Sequence, residues 1–338
     1  MILVPTSSLQ EGDRLGQHVY RSDGRLVLSR GAVLTANLIS GLVRMNIDSV
    51  YIDNVRDNEA VPVSLMDSGL LRAAAVDVVR TVFAEVAGTG RFHSRPVIRL
   101  TDDMLRAIAK DGDVKLQMKE IRTEGNYLHA HSANVCMLSI MTARTLGYTE
   151  QHLRTVAIGA LLHDIGYVAA QAVDARTDHP RIGFDLVRRH PELPLLAAHV
   201  VLQHHEQLNG GGFPLGIRGE ALRQSAQIVA IANDFDHFVN EIGQNRLPHE
   251  GIEYVMSKVD VSYEIAVVRA FVQSVAPYPI GTVVRLSNGM IGTVSELHKG
   301  HPSRPVIVTK DQGLRFDLLH FQTDFIEEVI LDPRVLAG

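Results

Sequence analysis

The chain has 338 residues, of which 46% are hydrophobic and 21% charged, and its net charge is −5 with histidine neutral. This is the composition of an ordinary water-soluble protein that is long enough for two or three domains. Its Lys and Arg residues are scattered, which argues against nucleic-acid binding because such binding requires a positively charged stripe. Cys136 is the only cysteine, so no intramolecular disulfide can form and a reducing compartment is predicted.

Targeting and membrane signals are also absent from the sequence pattern. The N-terminal residues MILVPTSSLQEGDR lack the basic region of a secretory signal. The most apolar stretch, Thr155 to Val173, contains His163 and Asp164, whereas a membrane-spanning helix requires about 20 residues with few charges. We therefore predict a cytoplasmic protein without membrane insertion.

Residues 1–60 are predicted to form a small β-rich module of the α+β type. The segment HVYRSDGRLVLSRGAVL alternates apolar and polar residues around Ser-Asp-Gly and Ser-Arg-Gly, a pattern typical of short strands joined by turns. TANLISGLVRMNI predicts a short helix with Thr35 as its N-cap, and SVYID predicts a final strand. A linker is predicted at residues 61–64.

Residues 65–275 show apolar residues at a helical period. LLRAAAVDVVRTVFAEVAG, DDMLRAIAK and HSANVCMLSIMTARTLG predict helices, and LRTVAIGALLHDIG, apolar on nearly all sides, predicts the buried central helix of a bundle. Strand signals return in residues 277–338, where PIGTVVRLSNGMIGTVSELH contains a Ser-Asn-Gly turn and RPVIVTK follows. The predicted fold is multidomain, with an all-α bundle between two small β modules.

Histidine is concentrated in the helical region, since nine of the 16 lie between residues 129 and 205. Two adjacent pairs stand out, His163-Asp164 and His204-His205. Neighbouring helical residues point about 100° apart, so a pair can serve two neighbouring ions, or one residue can bind an ion while the other supports it. An Asp can bridge two cations through its two oxygens. With His131 and His179 nearby, the pattern predicts a metal site. The other four histidines are interpreted as surface or core residues: His129, His152, His190 and His199.

Five sequence motifs within residues 126–240 resemble those of the HD-GYP family, a branch of the HD-domain metal-dependent phosphohydrolases. In order they are YLHAHSANV, ALLHDIG, HPRIG, HHEQLNGGGFPLGIRGE and AQIVAIANDFD. ALLHDIG alone is moderately specific, but followed by His-His-Glu and Gly-Phe-Pro it is highly specific. The resemblance implies a bundle of five or more helices with two, sometimes three, iron or manganese ions. It also implies hydrolysis of the bacterial second messenger cyclic di-GMP to pGpG or GMP.

The resemblance assigns ligands to two ions, with Asp164 shared between them and catalytic through the ions it holds. The two sets are His131, His163 and Asp164, then Asp164, His179, His204 and His205. Nitrogen and oxygen ligands without cysteine suit iron or manganese. Two such cations can activate a bridging hydroxide and neutralise a phosphodiester.

Residues 210–220, GGGFPLGIRGE, correspond to the signature loop of the family. Its glycines allow a ligand to approach the backbone, Phe213 can stack on a guanine, and Arg218 can pair with a phosphate. The predicted substrate-binding residues are Gly212, Phe213, Pro214 and Arg218. Without the resemblance, a tight glycine-rich turn with a surface arginine is the favoured interpretation.

One departure from the family pattern concerns a metal ligand. The closing aspartate of the family falls in Val-Ala-Asp-x-Phe-Asp, and IANDFD places Asn233 there. An amide oxygen can bind a cation but carries no charge and binds less tightly. Asn233 and Asp236 complete the predicted metal ligands. Asp234 or Asp236 could compensate for the missing charge, although both also fit a solvated helix face.

Further departures concern the walls of the site. Tyr167 replaces the Lys that usually follows His-Asp-Ile-Gly, and the segment Val168 to Asp178 is short. Tyr127 replaces a Glu that supplies a third metal in some members, so two metals are the upper expectation. Phe213 replaces the signature Tyr, Asn209 replaces an Asp, and the usual basic segment is not recognisable in HFVNEIGQNRLPHE.

Three functions remain open from the sequence. The first is an active cyclic di-GMP phosphodiesterase, favoured because six ligand positions are intact. The second is a catalytically impaired member that acts as a nucleotide- or partner-binding regulator, and the third is an HD phosphohydrolase acting on another nucleotide. The β modules could sense a signal, bind a signalling protein or pair subunits into a homodimer, and the sequence does not choose among these.

Overall fold

The computed structural model describes residues 2–16, 19–20, 26–45, 47, 49–52, 64–111, 127–169, 174–241, 244, 246–298, 301–309 and 313–330. Contacts divide the chain into two compact units. Within the described residues, one unit takes in Met1–Leu70 and Pro277–Gly338, and the other takes in Leu71–Val114 and Arg122–Ala276. The division into 1–60, 65–275 and 277–338 stays a prediction.

The N-terminal residues form two short antiparallel strand pairs and one helix. Strand β1 pairs with β4 and β2 with β3, and the helix α1 precedes β4: β1 Ile2–Pro5, β2 Val19–Tyr20, β3 Leu26–Leu28, α1 Ala36–Arg44 and β4 Ser49–Ile52. Thr35 caps α1, because its hydroxyl accepts the Leu38 N–H at 3.4 Å. Val4, Leu34 and Leu42 lie in the small core. The predicted Ser22-Asp23-Gly24 turn and residues 61–63 of the predicted linker lie outside the described residues.

The C-terminal residues form a five-stranded antiparallel sheet in the order β8-β7-β6-β5-β9. Its strands are β5 Val283–Leu286, β6 Ile291–His298, β7 His301–Thr309, β8 Arg315–Asp317 and β9 Ile326–Val329. The predicted Ser-Asn-Gly turn joins β5 to β6, and Gly289 adopts a φ of +83°. A left-handed φ costs glycine little because it has no Cβ. The predicted C-terminal β structure is confirmed.

The part between the β elements is helical, as the apolar period predicts. Its helices are α2 Ser64–Thr89, α3 Ser94–Asp111, α4 Tyr127–Thr145, α5 Glu150–Leu162, α6 Ala175–Val187, α7 Leu195–Gln203, α8 Gln224–Asn240, α9 Pro248–Met256 and α10 Ile265–Ser274. Helix α5 contacts α3, α4, α7 and α8, and every residue from Thr155 to Leu162 is buried. Helix α5 is therefore the predicted central helix, and its carboxyl end lies inside the bundle.

Helix α4 carries the single cysteine of the sequence. Cys136 is buried in α4, and burial raises the pKa of its thiol. It is a core residue rather than a reactive thiolate.

Among the described helices, none combines the length and apolarity needed to cross a bilayer.

Candidate metal centre

Four helices bring the six predicted histidine and aspartate ligands together. His131 lies on α4 and His179 on α6, while His163 and His204 are the residues at which α5 and α7 end. Asp164 and His205 follow directly after those two helix ends. Ligand atoms of these residues form two groups, each within 4.8 Å: His131, His163 and Asp164, and Asp164, His179, His204 and His205.

The Asp164 carboxylate lies between the two groups, with one oxygen toward each. Its Oδ2 is 3.3 Å from His163 Nε2 and 3.6 Å from His131 Nε2. Its Oδ1 is 3.5 Å from His179 Nε2 and 3.7 Å from His204 Nε2. A carboxylate can bind a different cation through each oxygen. Asp164 is thus placed to bridge two ions, one in each group.

Backbone carbonyls orient three of the imidazoles. In each ring Nδ1–H donates to a carbonyl one helical turn earlier: His163 to Ala160 O at 2.8 Å, His179 to Ala175 O at 2.9 Å, and His204 to Val201 O at 2.7 Å. This hydrogen bond leaves Nε2 as the atom that can bind a metal.

The Nε2 atoms of four histidine rings face one another in two pairs inside the protein. His131 Nε2 is 3.2 Å from His163 Nε2, and His179 Nε2 is 3.2 Å from His204 Nε2. All four side chains are 0% exposed. Buried nitrogen and oxygen donors that converge in this way fit divalent metal ions, and the set contains no thiolate.

Burial also sets the protonation states. It lowers the pKa of His179 and His204, and it lowers the pKa of His205 to about 3, with the neighbouring imidazoles contributing. Burial opposes ionisation of Asp164, but His163, His131 and His204 hold the pKa of its carboxyl well below the usual range. At His163 burial opposes protonation, but the adjacent Asp164 carboxylate raises the pKa of the imidazole. The shifts of His179, His204, His205 and Asp164 favour the neutral imidazoles and the carboxylate that bind metal.

Asp236, predicted as a ligand, lies behind His131 rather than in either group. Its Oδ2 accepts the His131 Nδ1–H at 2.7 Å, and its Oδ1 accepts N–H groups of Asn134 and Asn240 at 3.2 and 3.1 Å. Asp236 is 2% exposed, so its interpretation as part of a solvated face is wrong. A carboxylate in this position fixes the tautomer of a ligand histidine. Helical spacing relates Asn134 to His131 and Asn240 to Asp236, but the sequence pattern did not single out either asparagine.

Asn233 and the adjacent Asp234 point in different directions. The Asn233 amide oxygen is 3.0 Å from His131 Nε2, beside the first group. Asp234 instead accepts hydrogen bonds from Lys258 and Tyr263. Asp234 therefore does not supply the charge that Asn233 lacks.

Gly166 permits the approach of α6 to the His-Asp-Ile-Gly turn. A Cβ at Gly166 would lie 2.1 Å from the His179 carbonyl oxygen and 2.8 Å from the carbonyl carbon. Since both atoms belong to the backbone, no side-chain rotation could relieve the contact. The glycine in this turn is therefore what lets His179 come within reach of Asp164.

Phe213 and Tyr167 cover ligand histidines. Phe213 stacks on the His205 ring at 4.5 Å and 18°, and Tyr167 stacks on the His179 ring at 3.9 Å and 15°. One face of Phe213 is thus already occupied, which limits its predicted stacking on guanine to the other face. Burial, followed by Asp164, raises the pKa of Tyr167 to about 12, so its hydroxyl keeps its proton at neutral pH.

The remaining substrate-binding candidates, Gly212, Pro214 and Arg218, lie in the signature loop. A Cβ at Gly212 would lie 2.4 Å from the His205 carbonyl oxygen, so this position requires glycine. The Pro214 carbonyl accepts a hydrogen bond from Arg181 at 2.8 Å. The Arg218 side chain lies against Gly210 and is exposed.

Glu206, which the sequence pattern did not identify as a functional residue, accepts hydrogen bonds from the backbone of the signature loop. It directly follows His205 and is 1% exposed. Its Oε1 accepts the backbone N–H groups of Leu215 at 2.6 Å and Gly216 at 3.2 Å, and its Oε2 accepts that of Ile217 at 3.1 Å. The His-His-Glu motif was the sequence signal that could have identified Glu206.

We expect Glu206→Gln to destabilise the protein by about 1–3 kcal/mol, because an amide NH₂ would face a backbone N–H donor in a buried site. Thermal unfolding compared with the wild type measures this loss. Glu253→Gln, a matched change of an exposed glutamate on α9, should leave the melting temperature nearly unchanged. Equal stability of the Glu206 variant and the wild type would contradict the assigned role.

Tyr127 and His237 form a second pair that the sequence did not predict. The Tyr127 hydroxyl is 2.6 Å from His237 Nδ1, and the His237 ring lies 4.2 Å from the His131 ring. The pair lies beside the first group, and neither residue belongs to a ligand group. The four histidines interpreted as surface or core residues also lie outside both groups among the described residues.

Comparisons with known proteins identify an HD domain in the helical region of the chain. Residues 115–254 match the HD domain family. This match includes all six histidine and aspartate residues of the two ligand groups. The central part of the chain is a mostly helical HD-type domain, followed by the C-terminal antiparallel sheet.

Two curated relatives and one solved structure illustrate the similarity. Cyclic di-GMP phosphodiesterase PA4108 of Pseudomonas aeruginosa is 28% identical over 71% of this chain and 61% of its own length. The response regulator RpfG of Xanthomonas campestris, also named a cyclic di-GMP phosphodiesterase, is 33% identical over 28% of this chain and 29% of its own. Bd1817 of Bdellovibrio bacteriovorus, titled an HDG"Y"P protein, has a TM-score of 0.50 at 17% identity, covering 80% of this chain and 97% of that one. The match to PA4108 thus spans about six tenths of that relative's length.

Proposed function

We propose that this protein is a metal-dependent phosphodiesterase that hydrolyses cyclic di-GMP to pGpG or GMP. The observation that carries the proposal is the Asp164 carboxylate, which directs one oxygen to each of two buried ligand groups. Relatives named cyclic di-GMP phosphodiesterases support the choice of substrate. Two divalent ions, with iron or manganese best suited to the donors, are the proposed cofactors.

Some residues of this chain would bind the ions, and others orient the residues that bind them. His131, His163 and Asp164 would hold one ion, and His179, His204, His205 and Asp164 the other. Bound ions supply Lewis acidity, a hydroxide at neutral pH and neutralisation of phosphate charge. Asp236 fixes the Nδ1 proton of His131, and backbone carbonyls fix those of His163, His179 and His204. The protein thereby keeps its donors oriented before substrate arrives.

Substrate binding is assigned to the signature loop. We place one guanine against the outer face of Phe213 and a phosphate near Arg218, with Gly212 and Pro214 shaping the backbone between them. Arg218 is exposed and its guanidinium can bind a phosphate through two N–H groups. Tyr167, where the family has a lysine, can offer a neutral hydroxyl donor in place of a charged one.

A second function, a catalytically impaired regulator that binds a nucleotide or a partner, is favoured by one observation. Asn233 places a neutral oxygen 3.0 Å from His131 Nε2, where the family pattern has a carboxylate. A neutral ligand weakens the hold on a divalent cation. Hydrolysis of another nucleotide, the cytoplasmic location and a homodimer or signalling partner stay predictions.

Asn233→Asp distinguishes the two functions. We expect the extra carboxylate to tighten manganese binding on the order of tenfold, the lower end of what changes around metal ligands produce, and to raise cyclic di-GMP turnover. In the metal-free protein the same change should lower the melting temperature, because a second buried carboxylate would lie beside Asp164.

The measurements for Asn233→Asp are manganese titration, turnover, and thermal unfolding with manganese and with chelator. Asn288→Asp, in the exposed turn between β5 and β6, is the matched control and should change none of them. Turnover by the wild type at the rate of the Asn233 variant would argue against the impaired regulator. Turnover that requires the Asp would support it.

A further inference from the structure

A loop outside the metal centre contacts the segment between the ligand histidines and the signature loop. Residues 257–264 connect α9 to α10, and we call them the bracing loop. The backbone N–H of Leu208 donates to Ser262 O at 3.3 Å, and that of Asn209 donates to Val261 O at 3.0 Å. The bracing loop therefore supports two residues that lie between His205 and Gly210 in the chain.

The bracing loop is anchored on α8 near both of its ends. The Asp234 carboxylate accepts a hydrogen bond from the Lys258 ammonium near the start of the loop, at 2.8 Å, and another from the Tyr263 hydroxyl near its end. At its end, the Glu264 N–H donates to Gln227 Oε1 at 2.8 Å, and the Glu264 carboxylate accepts the Gln227 amide at 3.1 Å. Helix α8 also carries Asn233, so the same helix contacts the metal centre and the bracing loop.

The bracing loop has a tight internal structure. The Lys258 carbonyl accepts the N–H groups of Val261 at 3.2 Å and Ser262 at 2.9 Å. Asp260 adopts a φ of +60°, a left-handed conformation that Asp tolerates better than most residues. The Lys258 ammonium also lies 4.3 Å above the Tyr254 ring, a favourable position for a cation. Lys258 is therefore tied both to α8 and to α9, and the carbonyls of Val261 and Ser262 point in fixed directions.

We propose that Asp234 and Lys258 are positioning residues, which act through the bracing loop to fix the signature loop over the metal centre. The proposal rests on the proposed phosphodiesterase function. Neither residue belongs to a ligand group, and both are about one-quarter exposed, with 26% for Asp234 and 25% for Lys258. Their effect on the reaction must therefore pass through the backbone hydrogen bonds to Leu208 and Asn209.

Asp234→Asn and Lys258→Met in the full chain test the proposal by steady-state kinetics. Each should raise the KM for cyclic di-GMP about fivefold while kcat changes less than about twofold, because the loop that binds substrate is displaced and the metal ligands are not. Metal content should equal that of the wild type. Arg188→Met, which removes the surface pair with Asp185 on α6, is the control and should leave KM unchanged. An unchanged KM in both test variants, or loss of bound metal, would overturn the proposal.

Amide hydrogen exchange gives a second readout that does not depend on catalysis. We expect exchange at Leu208 and Asn209 to be about tenfold faster in both variants, since local opening controls exchange, with exchange in α5 unchanged. If the wild type leaves cyclic di-GMP intact, the phosphodiesterase proposal fails while faster exchange still supports bracing. Wild-type exchange at both amides would overturn the bracing role even in an active enzyme.

Discussion

Asp164→Asn should remove both bound ions and reduce hydrolysis of cyclic di-GMP on the order of 1,000-fold or more, equivalent to about 4 kcal/mol of transition-state stabilisation. Asp164 is the only carboxylate in either ligand group among the described residues. Each of its oxygens faces two imidazoles. Replacing it with an amide keeps the shape but removes the charge that attracts both cations, and it leaves one oxygen where two are needed.

The measurement for Asp164→Asn is elemental analysis after manganese loading, run beside a hydrolysis assay. Asp185→Asn, a matched change on the exposed side of α6, should retain both metal content and activity. His131→Ala should lose the ion of the first group and keep that of the second. Full metal content in the Asp164 variant would show that the carboxylate does not bridge the ions.

Gly166→Ala should have the second large effect, on stability and on the second ligand group together. The added methyl would lie 2.1 Å from the His179 carbonyl oxygen, a distance that requires the backbone of α6 or the turn to move. Overpacking of this kind costs about 1–3 kcal/mol or more. As α6 moves, His179 leaves Asp164, so the second ion should be bound more weakly than the first.

Thermal unfolding and metal content check this prediction. Gly88→Ala in α2 has no atom within 4 Å of the added Cβ and should be neutral or stabilising by about 0.5–1 kcal/mol, because alanine is the better helix former. A Gly166 variant as stable as the wild type, with both ions retained, would contradict the close approach of α6.

Local sequence patterns predicted much of this fold because they depend on neighbouring residues. The apolar run of α5 identified the buried central helix, and Ser-Asn-Gly identified the turn between β5 and β6. Thr35 could be identified as an N-cap because its hydroxyl accepts an N–H only three residues later. Periodicity and turn chemistry of this kind need no knowledge of the rest of the chain.

Contacts between distant residues could not be predicted in the same way. Asp236 supports His131 from 105 residues away, and Lys258 reaches Asp234 across 24 residues. The sequence identified Asp234 and Asp236 as acidic residues near Asn233, but only the packing of α4 and the bracing loop against α8 gives each its role. Composition and spacing identify which residues can bind metal, whereas their supporting partners depend on tertiary structure.

Electron paramagnetic resonance of the manganese-loaded wild type tests the central claim most directly. Two ions bridged by Asp164 should give a spin-coupled signal once about two equivalents are bound, since a shared carboxylate holds the two cations of such sites only about 3.5–4 Å apart. That signal should disappear in Asp164→Asn. A spectrum of isolated, uncoupled manganese at every loading of the wild type would contradict the bridged two-ion centre.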